Sequence, residues 1–181
     1  SVFGSIPFLL DKQLNLSFVD AIFESTSGWT TTGASIIANL DELSRPILLY
    51  RQLLQWLGGI GIVVLVLAIL PILGVGGMYL YKAETSSPIK DNKLSPRITE
   101  TAKSLWGVYL ILTIACAVAY KVAGMNYFYA IGHSFSTVSI GGFSTHNASI
   151  GFYSSDIIKI ICILFMFISA LNFVLHFLFY K

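Results

Sequence analysis

Charge is scarce in this chain. Only 11% of its 181 residues are Asp, Glu, Lys or Arg, against 55% apolar residues and a mean hydropathy of +0.77. Globular domains usually carry about twice that share of charge, so most of this surface has lipid as its solvent. The formal net charge is +2, and no basic patch interleaved with aromatics occurs, which excludes a nucleic-acid-binding face. Cysteine is as sparse: Cys116 and Cys162 sit within apolar runs, where they read as small packing hydrophobes rather than redox groups. No charged start with a short apolar core and cleavage site opens the chain, so no signal peptide is read. Residues 1–10 resemble the tail of an earlier span, and Lys181 directly follows Phe177-Leu-Phe-Tyr180. The expectation is a fragment of a longer polypeptide.

What the chain does have is long apolar segments. A spanning helix needs about 20 apolar residues, and residues 47–73, 105–123 and 157–180 meet that requirement. Between the first two, Lys82, Lys90, Lys93, Arg97 and Lys103 face only Glu84, Asp91 and Glu100, which assigns residues 82–104 to the cytoplasm. Residues 124–156 contain no Lys or Arg and fall on the opposite side with the amino-terminal segment. That basic loop also suits anionic lipid, at about 1 kcal/mol per basic residue near the surface.

A duplicated string then supplies the function class. Glu24-Ser-Thr-Ser-Gly-Trp-Thr-Thr-Thr-Gly-Ala-Ser35 returns about 109 residues later as His133-Ser-Phe-Ser-Thr-Val-Ser-Ile-Gly-Gly-Phe-Ser144. Hydroxyl- and glycine-rich backbone at membrane depth is tolerated only where protein buries it or where it lines a watery path. Two such loops, each between apolar segments and entered from the outer face, read as an ion filter. Ser17-Phe-Val-Asp20 has the capping-box form and predicts a helix of about three turns. Its carboxyl end near Gly28 aims the negative dipole end at Thr31 and Thr32, favouring a cation. Asn126 caps a second short helix in the same way. The chain must then return outward, which calls for Gly33 in one loop and Gly141-Gly142 in the other.

These strings resemble the Trk/Ktr/HKT superfamily of potassium transporters, and within it the membrane subunit of bacterial Trk systems. Carrying the likeness are Asp20-Ala-Ile-Phe-Glu-Ser25, Gly28-Trp-Thr-Thr-Thr-Gly-Ala34, Tyr50-Arg-Gln-Leu-Leu-Gln-Trp-Leu-Gly-Gly-Ile-Gly61, Ile69-Leu-Pro-Ile-Leu-Gly-Val-Gly-Gly77 and Ile140-Gly-Gly-Phe-Ser-Thr-His146. The resemblance implies an all-α membrane protein of repeated helix, re-entrant pore loop, helix units, like a potassium channel subunit. It implies four units around one pore, with this chain supplying the first two, and two such chains in a homodimer. Residues 1–80 would hold the end of the first helix, pore loop and second helix of repeat one, residues 81–104 a cytoplasmic linker, and residues 105–181 repeat two. It further implies a bacterial inner (plasma) membrane location, a soluble nucleotide-binding regulatory subunit, TrkA, on the cytoplasmic face, and no cofactor, with potassium as substrate. Asn147 stands where the family pattern leads one to expect Asp, so it receives no charge role.

The residues assigned to potassium are Thr31, Thr32, Gly33, Ile140, Gly141 and Gly142, through backbone carbonyls. Flanking identities pair Gly33 with Gly142, whereas a one-residue slip pairs it with Gly141. Asp20 and Glu24 are read at the outer mouth, either concentrating cations or capping a helix. Arg51 and Gln55, one turn apart, point into the bundle, or else Arg51 reaches the outer interface. Gly58, Gly59 and Gly61 read as sites of close helix approach, and Ser169, Asn172 and His176 as a polar stripe joining helices. His133 and His146 read as surface or capping histidines; with Asp156 they lack the spacing of a metal site. Three rival readings stand beside the filter. One is an intramembrane enzyme using Ser134, His133, Ser144 and His146, which lacks an orienting third group. Another is a pore for a different monovalent cation, sodium included, and the last is a non-conducting truncated fragment.

Overall fold

A computed structural model describes residues 2–11, 13–69 and 94–170. Among these the architecture is helical, with six helices: α1 Val2–Leu10, α2 Phe18–Trp29, α3 Arg45–Ile69, α4 Leu94–Val122, α5 Tyr127–Val138 and α6 Asp156–Ala170. The expected stretches 70–93 and 171–181, which include most of the basic loop and the stripe positions Asn172 and His176, lie outside the described residues.

Two units share one plan. The Ser17 hydroxyl accepts from the backbone N–H of Asp20 at 3.2 Å to open α2, and the Asn126 carboxamide accepts from that of Phe128 at 3.1 Å to open α5. Each satisfies one of the orphan donors of a first helical turn, as the capping signals require. Both short helices run for 12 residues and hand over to an extended loop. Each loop then reaches a single 3₁₀ turn, at Leu40–Glu42 in the first unit and at Ser149–Phe152 in the second. The offset between equivalent residues stays constant from the caps to these turns.

The helix α3 joins the units. Its Ile47 and Leu54 pack with Phe8 and Ala21 in the core of unit one. Further along, Ile60 belongs to the core of unit two with Tyr109, Cys116, Tyr120, Met125, Ala130, Val138 and Ile158. Glycine makes this double packing feasible: a Cβ at Gly58 would fall on the carbonyl oxygen of Trp29, and one at Gly59 would meet Ser139 and the Tyr109 hydroxyl. Gly61 has nothing within 4 Å, so of the three glycines expected to admit neighbours only two do. Next to them Trp56 donates to the Thr113 hydroxyl at 3.1 Å and accepts, through its backbone carbonyl, from the Tyr109 hydroxyl at 3.0 Å.

The outward faces are apolar. On α4, Ile111, Ile114, Val118 and Val122 are exposed; on α6, Ile157, Ile160, Ile163 and Phe167 are. Patches of this size would be an aggregation hazard in water and are ordinary in lipid. Among the described residues, the window Leu105–Val122 is long and apolar enough to cross a membrane, with mean hydropathy 1.8. Cys116 is buried and Cys162 half-buried, both free thiols in the packing role expected of them.

Candidate ion-filter loops

Both short helices end alike. In α2, Thr30 N–H donates to the Thr26 carbonyl at 2.9 Å, Thr31 N–H to that of Gly28 at 3.1 Å and Thr32 N–H to that of Ser27 at 3.0 Å. In α5 the corresponding donors Ser139, Ile140 and Gly141 reach Phe135, Thr137 and Ser136 at 3.2, 3.2 and 2.9 Å. This is the Schellman arrangement, which places its pivotal residue in the left-handed region, normally as glycine. Here the pivots are Thr31 at φ 53° and Ile140 at φ 54°, both β-branched. Each such residue costs about 1–3 kcal/mol and persists only where its surroundings hold it.

Two residues on, the backbone turns left-handed again, at Gly33 (φ 76°) and Gly142 (φ 84°). The dihedral pattern therefore pairs Thr31 with Ile140 and Gly33 with Gly142, which removes the alternative pairing of Gly33 with Gly141. The loops also touch: a Cβ on Gly33 would fall on the carbonyl oxygen of Gly141. Thr32 lies on the exposed side of its loop, as do Ile140 and Gly142 on theirs, while Gly141 is buried between them. The six residues singled out from sequence thus form two equivalent, adjoining backbone segments at the carboxyl ends of two short helices.

Behind the loops stands a polar brace from α3. Arg51 donates through Nε to Glu24 Oε1 at 2.8 Å, through Nη1 to the Ser144 carbonyl at 3.1 Å and through Nη2 to the Ser35 hydroxyl at 2.9 Å. Its guanidinium also lies 4.3 Å over the Phe143 ring. Glu24 in turn accepts from the Ser35 hydroxyl at 3.0 Å and the Ile36 N–H at 3.2 Å. Gln52 Nε2 donates to the Phe143 carbonyl at 3.2 Å; Gln55 Nε2 donates to that of Gly141 at 2.7 Å and Gln55 Oε1 accepts from Phe143 N–H at 3.0 Å. A charge placed alone at such depth is expensive, and the partner carboxylate with its added hydrogen bonds offsets that cost.

This arrangement corrects two expectations. Glu24 is neither at an outer mouth nor a cap: it is fully enclosed and paired with Arg51, whose interfacial alternative falls with it. The histidines are buried rather than superficial. His133 Nε2 is 3.0 Å from the Thr145 hydroxyl, and His146 Nδ1 is 2.7 Å from Asp41 Oδ1. The hydroxyls of the intramembrane-enzyme reading are engaged elsewhere: Ser134 donates to the Ile131 carbonyl at 2.7 Å, and Ser144 accepts from His146 N–H at 3.1 Å. Ser169 is buried, but its hydroxyl has no hydrogen-bond partner among the described residues, so the helix-joining role expected of the stripe is not seen at this position. Among the described residues no cluster of His, Cys, Asp or Glu is arranged to hold a metal.

Three contributors escaped the sequence reading. Gln52 had a signal, a third polar side chain on an otherwise apolar helix beside Arg51 and Gln55. Asp41 and Asn147 had none. They latch the outer ends of the two loops, with Asn147 Oδ1 accepting from Leu40 N–H at 2.9 Å and Asp41 Oδ2 from Asn147 N–H at 3.4 Å. The hydrogen bond from His146 holds the Asp41 carboxyl below its usual value of 3.8, aided by the Asn147 N–H against partial desolvation.

Short capped helices whose ends feed paired left-handed loops, set among longer helices with lipid-facing exteriors, define an all-α membrane protein of the pore-loop class. Comparison with known proteins narrows this. The family model described as TrkH, cation transport protein, matches residues 1–181, and the chain belongs to that family. It is 62% identical over 97% of its length to the Trk system potassium uptake protein TrkH of Halomonas elongata, and 59% identical over 96% to that of Escherichia coli K12. The crystal structure of the potassium transporter TrkH from Vibrio parahaemolyticus superposes with a TM-score of 0.82 at 56% identity, covering 96% of this chain and 34% of that one. The chain spans 36% of the length of these two curated relatives. The family is one of transport rather than catalysis, and the intramembrane-enzyme reading is withdrawn with it.

Proposed function

We propose that this chain forms the first two of four pore-loop repeats of a potassium-uptake protein, and that its two loops supply half of the ring that selects the ion. The observation that carries the reading is the coincidence of dihedral angles: Thr31 and Gly33 in one loop, Ile140 and Gly142 in the other, each pair left-handed at the end of a capped short helix. Thr31, Thr32, Gly33, Ile140, Gly141 and Gly142 are the filter segments of this proposal, with one change from the sequence expectation: the Gly141 carbonyl accepts from Gln55 at 2.7 Å and is turned away from the ion, so Gly141 serves as backbone of the segment and not as an ion ligand. Carbonyls stacked along such a segment replace a potassium ion's hydration shell. The carboxyl ends of α2 and α5 add partial negative charge, equivalent to about half an elementary charge each.

The names of the relatives, potassium uptake proteins, support this ion. An inside-negative potential supplies roughly 2.3 kcal/mol per 100 mV for each cation entering. Uptake therefore requires no cofactor and no chemistry in the chain. The division is that given by the sequence: residues 1–80 for repeat one, 81–104 for a cytoplasmic linker, 105–181 for repeat two. The protein would sit in the bacterial inner membrane as a homodimer, with a nucleotide-binding regulatory subunit of the TrkA type at the cytoplasmic face.

A second reading applies to the isolated chain, favoured by the 36% coverage of its relatives: alone it is a non-conducting half. Rubidium and potassium uptake into transporter-deficient cells tests both. Uptake is expected from a full-length protein containing this segment and not from the segment expressed alone. A full-length protein that passes sodium as readily as potassium would transfer the reading to a less selective cation pore.

A further inference from the structure

Gln55 is fully buried, yet both ends of its carboxamide are used, one on each of the two peptides that flank Gly142. Nε2 donates to the carbonyl of Gly141 at 2.7 Å and Oε1 accepts from the N–H of Phe143 at 3.0 Å, so the side chain brackets Gly142 from either side. A planar trans peptide places its C=O and N–H on opposite sides. The peptide joining Gly142 to Phe143 points its N–H at α3, and its carbonyl consequently points away from α3, toward the exposed side of the loop. At the preceding peptide the reverse holds: the Gly141 carbonyl is turned inward onto Gln55 and against Gly33. The bracket thus fixes the left-handed Gly142 (φ 84°) and the direction of its oxygen in one step.

We propose that Gln55 is a positioning residue for ion selectivity: α3 of repeat one is the template on which the loop of repeat two is set, and Gln55 aims the Gly142 carbonyl at the ion. Gln52 and Arg51 continue the template along the same backbone, at the carbonyls of Phe143 and Ser144. Their part is smaller for aiming, because Gln52 uses only its Nε2 and leaves Oε1 without a partner among the described residues. The second long helix of repeat two lacks this equipment, since α6 contains neither Gln nor Arg. Among the described residues the polar template lies at the seam between repeats one and two.

This inference rests on the filter reading, and the test separates the two. In a full-length protein carrying this segment, the ratio of rubidium to sodium uptake is measured for wild type, Gln55→Glu, Gln55→Leu and Gln52→Met at matched amounts in the membrane. Gln55→Glu keeps an acceptor for Phe143 N–H but sets a second acceptor against the Gly141 carbonyl. The expected result is a loss of selectivity of about tenfold or more for Gln55→Leu, the size of one buried hydrogen bond expressed as an equilibrium ratio. Gln55→Glu is expected to fall between Gln55→Leu and wild type, and Gln52→Met to stay within about threefold of wild type, as for one weaker contact. If Gln55→Leu does not accumulate, the near-isosteric Gln55→Glu decides. Wild-type selectivity in the Gln55 variants overturns the inference while leaving the filter reading intact. An unselective wild type overturns the filter reading itself.

Discussion

Arg51 and Glu24 meet at 2.8 Å with side chains 1% and 0% exposed, and they come from the second helix and the short helix of the same repeat. The pair is tied to both loops, through Ser35 and Ile36 in one and Ser144 in the other. Removing one partner strands a charge in a place water does not reach. We expect Arg51→Met and Glu24→Gln each to destabilise the full-length protein by about 3–5 kcal/mol. The double variant should lose less than the sum of the two. Thermal unfolding in detergent of the two single variants and the double variant measures the coupling, and strictly additive losses would deny it.

Gly33 is constrained twice over, by a φ of 76° and by the Gly141 oxygen that occupies the place of a side chain. Gly33→Ser should therefore disturb both loops at once and abolish discrimination between potassium and sodium. Uptake of the two ions by the full-length variant checks this, and unchanged discrimination would contradict it.

Ile140 offers the opposite experiment. A β-branched residue at φ 54° is strained, and Ile140→Gly should raise stability by about 1 kcal/mol after allowing for the freer unfolded chain. A rise in Tm together with lower transport would show that the strain is held for function; a fall in Tm would mean that the isoleucine side chain contributes more than its backbone costs.

The glycines of α3 form an internal control. Gly58→Ala sets a methyl group on the Trp29 carbonyl and should prevent α3 from seating against α2. Gly61→Ala meets nothing and should be neutral or slightly stabilising, since alanine is favoured over glycine within a helix by about 1 kcal/mol. Membrane levels of folded protein distinguish the two, and equal tolerance would contradict the close approach.

The latch at Asp41 gives a pH dependence of known sign. Its carboxyl value is lowered in the folded protein, so the stabilisation is fully present above the ordinary value of 3.8 and disappears as pH falls through the lowered one. Asp41→Asn should be less stable than wild type near neutrality, and the gap should close in acid. A gap independent of pH would assign the effect to packing with Asn147 alone.

Much of this arrangement was legible because it is written in local signals. Ser17 and Asn126 announce their helices, and the duplicated strings fix where each loop lies. Hydroxyl-rich backbone between apolar spans is sufficient to class the loops. What was not legible depends on the third dimension. Glu24 looked like a cap because its partner Arg51 is 27 positions away and nothing in the string between them links the two. His146 looked superficial because Asp41 lies 105 positions earlier. Flanking identities pointed Gly33 to Gly142, but a single-residue slip also keeps a glycine in place, so both pairings stayed open in sequence; the dihedral angles separate them. Gln52 and Gln55 are conspicuous as polar residues in an apolar helix, but the backbone groups they hold belong to the other repeat.

That separation matters for how the protein is made. The Phe143 carbonyl that Gln52 holds is 91 positions further along the chain. At synthesis rates of about 5–20 residues per second, it emerges roughly 5–20 s after α3. For that interval Arg51, Gln52 and Gln55 face the membrane with only their own repeat for company, and Glu24 is the companion already present. The buried ion pair is made wholly within residues 24–51, so the charge on α3 has its partner before the second loop has been synthesised.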